Sequence, residues 1–238
     1  RLASARSLML MDVGKVQPGD YAGAGHASFL ALEFSSGESR IVVNCGAGGI
    51  THRSWNAALR ATAAHSTVTV GDVSSAGVLP PGLARDLLGP RLIPGPGEVV
   101  SRRVETTQGW TVEASHDGYQ EAFGLRHERQ VTLSPQGLML TGRDRLIETG
   151  RQVPQQNFAV RFHIHPDVRV SRLEGGGVLL KLSNGEGWRF RAGGGVLDVE
   201  ESIYLGGGIV RRASQLVVSG ALKEAQTEIA WVFEQIVA

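Results

Sequence analysis

The segment VLLKLSNGEGWRFRA, Val178 to Ala192, constrains the fold more than any other. Two runs alternate apolar and polar residues at period two, and Asn184-Gly185 stands between them. Neighbouring strand residues point to opposite faces, and Asn-Gly supplies the positive φ that a tight hairpin turn demands. The pattern predicts a β-hairpin. Comparable runs recur at SLMLMDV, SFLALEFSS, SRIVVNC, HSTVTVGD, WTVEASHDG, ERQVTLSPQGLMLTGRDRL, FAVRFHIHPDVRVSRL, VLDVEESIYL, RRASQLVVSG and TEIAWVFEQ. Ser36-Gly37 and Pro135-Gln136-Gly137 mark further turns. Many short strands at close, even spacing predict an all-β, antiparallel β-sandwich with few or no helices.

The remaining segments fit that reading. RSWNAALRATAAH is the one plausible helical stretch, and VLPPGLARDLLGPRLIPGPGEVV, with five prolines, reads as a long surface excursion. The expectation is a single β domain over 1–238. Its 32 glycines suit turns and bulges better than long helices. A formal net charge of +1 gives no reason to expect nucleic acid or an anionic membrane as partner. No run reaches the roughly 18 apolar residues that a spanning helix requires. The one cysteine, Cys45, excludes an internal disulfide. The opening RLASARSLMLMDVG has no signal-peptide cleavage pattern, and the chain starts without methionine. The expectation is a fragment of a longer protein.

Candidate chemistry lies with the histidines. Counting alternation from His26 puts His26, Ser28, Leu30, Leu32 and Phe34 on one side, with His26 at the entry of a strand. There it either projects into a cleft or bonds a loop carbonyl. In FAVRFHIHPDV, Phe158, Val160, Phe162 and Ile164 share one face, while Arg161, His163 and His165 share the other. That second face reads as polar and solvated, so truncating His163 should barely alter stability. Two histidines at i, i+2 could share a metal, but spacing supplies no third ligand. His116-Asp117-Gly118-Tyr119 reads as a tight turn, with a His–Tyr acid/base pair as the minority alternative. Cys45, with no evident base nearby, reads as a small buried residue. The sequence has no Gly-x-Ser-x-Gly elbow, Walker loop, Cys-x-x-Cys pair or His-Glu-x-x-His motif.

Taken together, GHASFLALEF, RIVVNCGAGG, WNAALRATAAHSTVTV, HDGY, RFHIHPDV, ESIYLGGG and QLVVSG resemble the C-terminal β-sandwich of the heparinase II/III-like polysaccharide lyases. The likeness runs over nearly the whole chain, and the order and spacing of the first three blocks are its specific part. It implies a sandwich of the super-sandwich type, packed in the parent protein against an N-terminal α/α toroid absent from this sequence. The implied reaction is β-elimination on a uronic-acid polysaccharide, with the active cleft between the two domains. A base takes the proton beside the sugar carboxylate, an acid assists departure of the O4-linked sugar, and cationic groups stabilise the enolate-like transition state.

The family's sandwich histidine opens a His-x-His-x-Asp pattern, and His26 matches its first position. The second histidine, a zinc ligand in relatives, falls at Ser28, the later Asp at Leu30, and the zinc-binding Asp of the next strand at Asn44. Only His65 survives at a ligand-like place. Neutral Ser and Asn cannot stand in for an imidazole and a carboxylate around zinc, so no zinc or other cofactor is expected. Asn44 and His65 are instead expected to support the cleft wall and to contact substrate. The isolated piece should be inactive, its partners being an acidic polysaccharide and the toroid, and its compartment the periplasm by resemblance. The rival reading is a non-catalytic carbohydrate-binding or packing module with a decayed lyase site.

Overall fold

The structure is a computed structural model and describes residues 1–15, 23–47, 55–80, 82–88, 92, 95–150, 155–223 and 225–236. Parts of the proline-rich excursion, and 48–50 of the first glycine-rich stretch, lie outside them. Among the described residues the strands form two eight-stranded antiparallel sheets. The first runs, in spatial order, β1 (Leu2–Ser4), β2 (Ser7–Met11), β3 (Leu32–Ser36), β4 (Ser39–Val43), β10 (Asn157–Ile164), β15 (Arg211–Ala221) and β14 (Val196–Tyr204), with β5 (Val68–Val70) also on β10. The second runs β11 (Arg169–Arg172), β12 (Val178–Lys181), β13 (Gly187–Gly193), β16 (Gln226–Ile236), β9 (Met139–Glu148), β8 (Leu125–Leu133), β7 (Gly109–Tyr119) and β6 (Val99–Thr106).

The expected hairpin is present. Gly185 adopts φ +90° between β12 and β13, and the Asn184 side chain accepts the Glu186 backbone N–H at 3.0 Å. The inner faces of the two sheets meet in one apolar core that includes Phe34, Phe162, Trp188, Phe190, Trp231 and Phe233. Phe162 packs edge-on against Trp231 at 4.9 Å, and Phe34 against Trp188 at 5.1 Å. Each such side chain, once buried, contributes about 1.5–3 kcal/mol of transfer free energy. Gly142 is required here, because a Cβ at that position would lie 1.9 Å from the Trp231 ring.

Strand β6 carries no alternation to read. All but its first residue are exposed, and Arg102, Arg103 and Glu105 fit a charged edge strand, which resists pairing with other chains. The helices are short: α1 (Asn56–Arg60), α2 (Leu83–Leu88) within the proline-rich excursion, and α3 (Gln120–Phe123), capped by Gly124 at φ +67°.

Two local expectations are corrected. His116 to Tyr119 is no turn; it ends β7, and the register with β8 slips between His116 and Tyr119 in a bulge. The Asp117 side chain does bond backbone, but it accepts from Glu98 N–H across the sheet edge. Alternation also fails between His26 and β3. Phe29, Leu30, Ala31 and Leu32 are all buried in succession, and Leu30 takes φ +58° within a turn closed by Ala31 N–H to Ser28 O. His26 therefore sits on an irregular segment that precedes the strand.

Candidate functional site

One edge of β10 takes two partners in turn: β5 along Phe158–Val160 and β4 along His163–Ile164. Between them in sequence stand α1 and a 3-10 turn over Thr62–Ala64, and this excursion meets the outer face of β10 where Ala63 O bonds His163 and the His26 segment where Arg60 O bonds Ala27 N–H.

The meeting is tightly tied. Ala27 N–H donates to Arg60 O at 2.9 Å, Thr62 Oγ1 donates to Ala27 O at 2.8 Å, and Arg60 Nε donates to Gly25 O at 2.7 Å. His26 is held between these anchors, half-buried. Its Nδ1 shares a hydrogen bond with His65 Nε2 at 3.2 Å, the rings lying edge-on with centroids 5.2 Å apart. Burial lowers the His26 pKa, Arg60 lowers it further, and the Leu59 carbonyl and Asp12 pull weakly the other way. His65 is almost sealed, and burial, His26 and His163 bring its pKa down to about 3. Both rings are neutral at physiological pH. His65 Nδ1 is buried without a hydrogen-bond partner. Arg60 is itself buried, and both burial and nearby Arg85 of α2 disfavour its charge. The Arg60 guanidinium is thus the cationic group that acts on His26, and its charge favours an arriving anion.

Asn44 acts at a distance of one residue from His65. Its Oδ1 accepts Ser66 N–H at 2.9 Å and its Nδ2 donates to Glu33 Oε1 at 3.1 Å. Ser66 Oγ in turn donates to Val43 O and accepts from His163 N–H. Ser28 Oγ donates to Asp12 Oδ2 at 2.5 Å. The structure therefore brings His26 and His65 together and uses Asn44 to fasten the neighbouring backbone. Ser28 and Asn44 are both engaged elsewhere and form no donor set with His65. Among the described residues no group of three or more His, Cys, Asp or Glu side chains could hold a metal.

The assignment of β10 faces needs correction at His163. Phe158, Val160, Phe162 and Ile164 do face the core, but His163 is only 3% exposed, because the excursion lies over the opposite face. Its Nε2–H donates to Ala63 O at 3.0 Å, so Nδ1 accepts, receiving Ser202 Oγ–H at 2.8 Å. Cys45 Sγ lies 3.4 Å from the same nitrogen. A base does stand beside this thiol, yet burial pushes the thiol pKa up to about 11, which keeps it protonated. His165, two residues on, faces a separate cleft and packs edge-on against Tyr204.

A second buried polar chain lies beneath the site. Asp144 accepts from His127 Nε2–H at 2.7 Å, His127 Nδ1 accepts from His116 Nε2–H at 3.1 Å, and His116 Nδ1 accepts from Gly118 N–H at 3.0 Å. Each donor finds one acceptor, so both rings are neutral. Burial alone would raise the Asp144 pKa, but Arg129 and His127 outweigh it and hold the carboxylate ionised. Trp231 Nε1–H also donates to this carboxylate, at 2.8 Å. The sequence puts His127 and Arg129 in alternation but gave Arg129 no role, and it did not single out Arg60 or Asp144. His127 and Arg129 share the inward face of β8 with Leu125, Val131 and Leu133, and that pattern was the available signal.

A family model described as heparinase II/III-like, C-terminal, matches residues 1–232. FtsZ-localized protein C of Caulobacter vibrioides is 29% identical over 235 residues, which is 94% of this chain and 40% of that protein. Among solved structures, heparan sulfate lyase HepC of Pedobacter heparinus matches with a TM-score of 0.71 at 14% identity, over 98% of this chain and 33% of that one. A heparinase III crystal structure matches at 0.69 and 13% identity, over 97% and 33%. At such identities the structural likeness shows the fold: an antiparallel β-sandwich like that of the lyases' C-terminal part. The chain spans well under half the length of these relatives.

Proposed function

Because the chain belongs to the heparinase II/III-like C-terminal family, we propose that it is the β-sandwich half of a lyase that cleaves uronic-acid polysaccharide by β-elimination. The observation that carries this reading is the half-buried His26 ring, tied to neutral His65 and set beside Arg60. In this reading His26 lines a cleft completed by an upstream α/α toroid. Its neutral ring takes a proton or donates its N–H to the sugar carboxylate, while Arg60 favours the negative charge of the enolate-like transition state. His65 orients His26, and Asn44 fixes the Ser66 backbone next to His65. The proton-abstracting tyrosine belongs to the toroid, so this chain alone does not turn over. No zinc takes part at Ser28, Asn44 and His65. The compartment implied is the periplasm.

A second reading is a non-catalytic glycan-binding or packing module. It is favoured by the Ser28–Asp12 and Asn44–Glu33 bonds, and by the 29% identical relative being named for localisation to FtsZ. The experiment that separates them follows unsaturated uronate absorbance when the full-length parent protein meets heparan sulfate or alginate. Product formation, lost in His26→Ala with folding retained, supports the lyase. Glycan binding without product supports the module, and turnover unchanged in His26→Ala removes His26 from the chemistry.

A further inference from the structure

Strands β4 and β10 carry a second polar site at the end of the first sheet opposite His26. Arg40 is the second residue of β4 and Asn44 follows its end, so these two residues lie about 13 Å apart along the strand. Here a cleft of about 950 Å³ is lined by Arg6, Arg40, His165, Asp167, Tyr204 and Arg211, with Glu38, Ser39, Ser183 and Asn184 at its margins. We propose that this cleft binds the carboxylate or sulfate group of an acidic saccharide, with Arg40, Arg211 and His165 as its recognition residues.

Arg6, Arg40 and Arg211 are balanced by Glu38, Asp167 and Glu186, and the opening for an anion is at Arg40. The Asp167 carboxylate is taken by Arg211 at 2.5 Å. Arg6 pairs with Glu186 at 2.9 Å, and Ser36 donates to the other oxygen of that carboxylate at 2.8 Å. Arg40 has no carboxylate partner among the described residues. Its Nη1 donates to the hydroxyl of buried Tyr204 at 2.8 Å, which fixes the guanidinium and leaves the rest of its donor fork unfilled. His165 is braced as well. It packs edge-on to Tyr204 at 4.9 Å, and its Nδ1 accepts Asp167 N–H at 3.3 Å, so the neutral ring carries its proton on Nε2. A Cβ on Gly206 would strike the Tyr204 hydroxyl, so a bare backbone there preserves the Arg40 contact.

The groups facing His165 are Asp167, Arg40, Arg211 and Tyr204. Burial lowers its pKa first, Asp167 opposes this, and Arg40 and Arg211 lower it again. An anion seated between the two guanidinium groups would reverse their effect. The volume lies at the upper end of the range for small-ligand sites and far exceeds a lone ion, and its hydroxyl and amide margins suit sugar hydroxyls. The site needs no catalysis and stands or falls apart from the lyase reading.

The test is histidine-ring NMR on the 238-residue chain with a heparan sulfate tetrasaccharide, a neutral cellulose tetrasaccharide and inorganic sulfate as probes. The acidic tetrasaccharide should move the His165 signals and raise the His165 pKa, with binding about tenfold weaker or worse in Arg40→Gln and in Arg211→Gln. Both arginines are exposed, so neither variant threatens the fold. Four outcomes each overturn the proposal: equal shifts from the neutral sugar, sulfate binding as tightly as the tetrasaccharide, unchanged affinity in both variants, or shifts confined to His26.

Discussion

Arg129 and Asp144 stand opposite each other on β8 and β9 and join through both carboxylate oxygens, at 2.6 and 3.1 Å. The same guanidinium sends Nη1 across the core to the carbonyls of Leu30 and Ser66, both at 2.8 Å. Leu30 lies on the His26 segment and Ser66 adjoins His65, so a pair in the second sheet holds both halves of the site.

Removing one member of this pair should be costly. Arg129→Met leaves a buried carboxylate without its main counter-charge and frees two buried carbonyls, with an expected loss of about 3–5 kcal/mol. The double variant Arg129→Met/Asp144→Leu should recover part of that loss. Urea denaturation measures both, and a single-variant loss below about 1 kcal/mol would sink the assignment.

His163→Ala should destabilise by about 2–4 kcal/mol, because it orphans Ala63 O and Ser202 Oγ and opens a buried void. Alternation in the sequence led to the opposite expectation. Thermal or denaturant unfolding decides between them.

Acid should weaken the fold well before the carboxylates titrate. His65 and His163 are depressed to about 3 and about 4, and His116 and His127 are also depressed, all chiefly by burial. Unfolding lets these rings take up protons near the ordinary value of about 6.5. Their contribution is thus complete above that pH and declines as pH falls toward the folded values. The slope is about 1.4 kcal/mol per pH unit for each proton taken up. Unfolding free energy measured between pH 7 and 4 should fall steadily, and a flat profile would refute the neutral-ring assignment.

On the lyase reading, His26→Ala in the parent protein should cut uronate-elimination turnover by about 10²–10⁴-fold with the fold retained and stability lowered by no more than about 1–3 kcal/mol, since His65 Nε2 loses its partner. Wild-type turnover should keep its acid limb below the usual histidine range, since His26 is depressed. A limb at or above that range would point to another group.

Elemental analysis of protein prepared without added metal should find zinc far below one per chain. Stoichiometric zinc that disappears in His65→Ala would contradict the engagement of Ser28 and Asn44 described above.

The fold was largely legible because period-two patterning and turn dipeptides are local signals, and VLLKLSNGEGWRFRA folds as that pattern predicts. The site was legible only in part. His26 and His65 were singled out by resemblance, but their mutual hydrogen bond joins segments 39 residues apart and leaves no local mark. His163 was misassigned because alternation sorts faces without saying what lies over them. Arg129 and Asp144 are charged residues on inward positions, which patterning treats as exceptions; only their pairing across β8 and β9 makes them core.

Nη1 of Arg129 staples the Leu30 and Ser66 backbones to the opposite sheet, so neither can swing out without breaking a buried bond. Any groove built over His26 therefore has one fixed jaw. On the proposed lyase reading, accommodation of glycans that differ in length or sulfation has to come from the facing side.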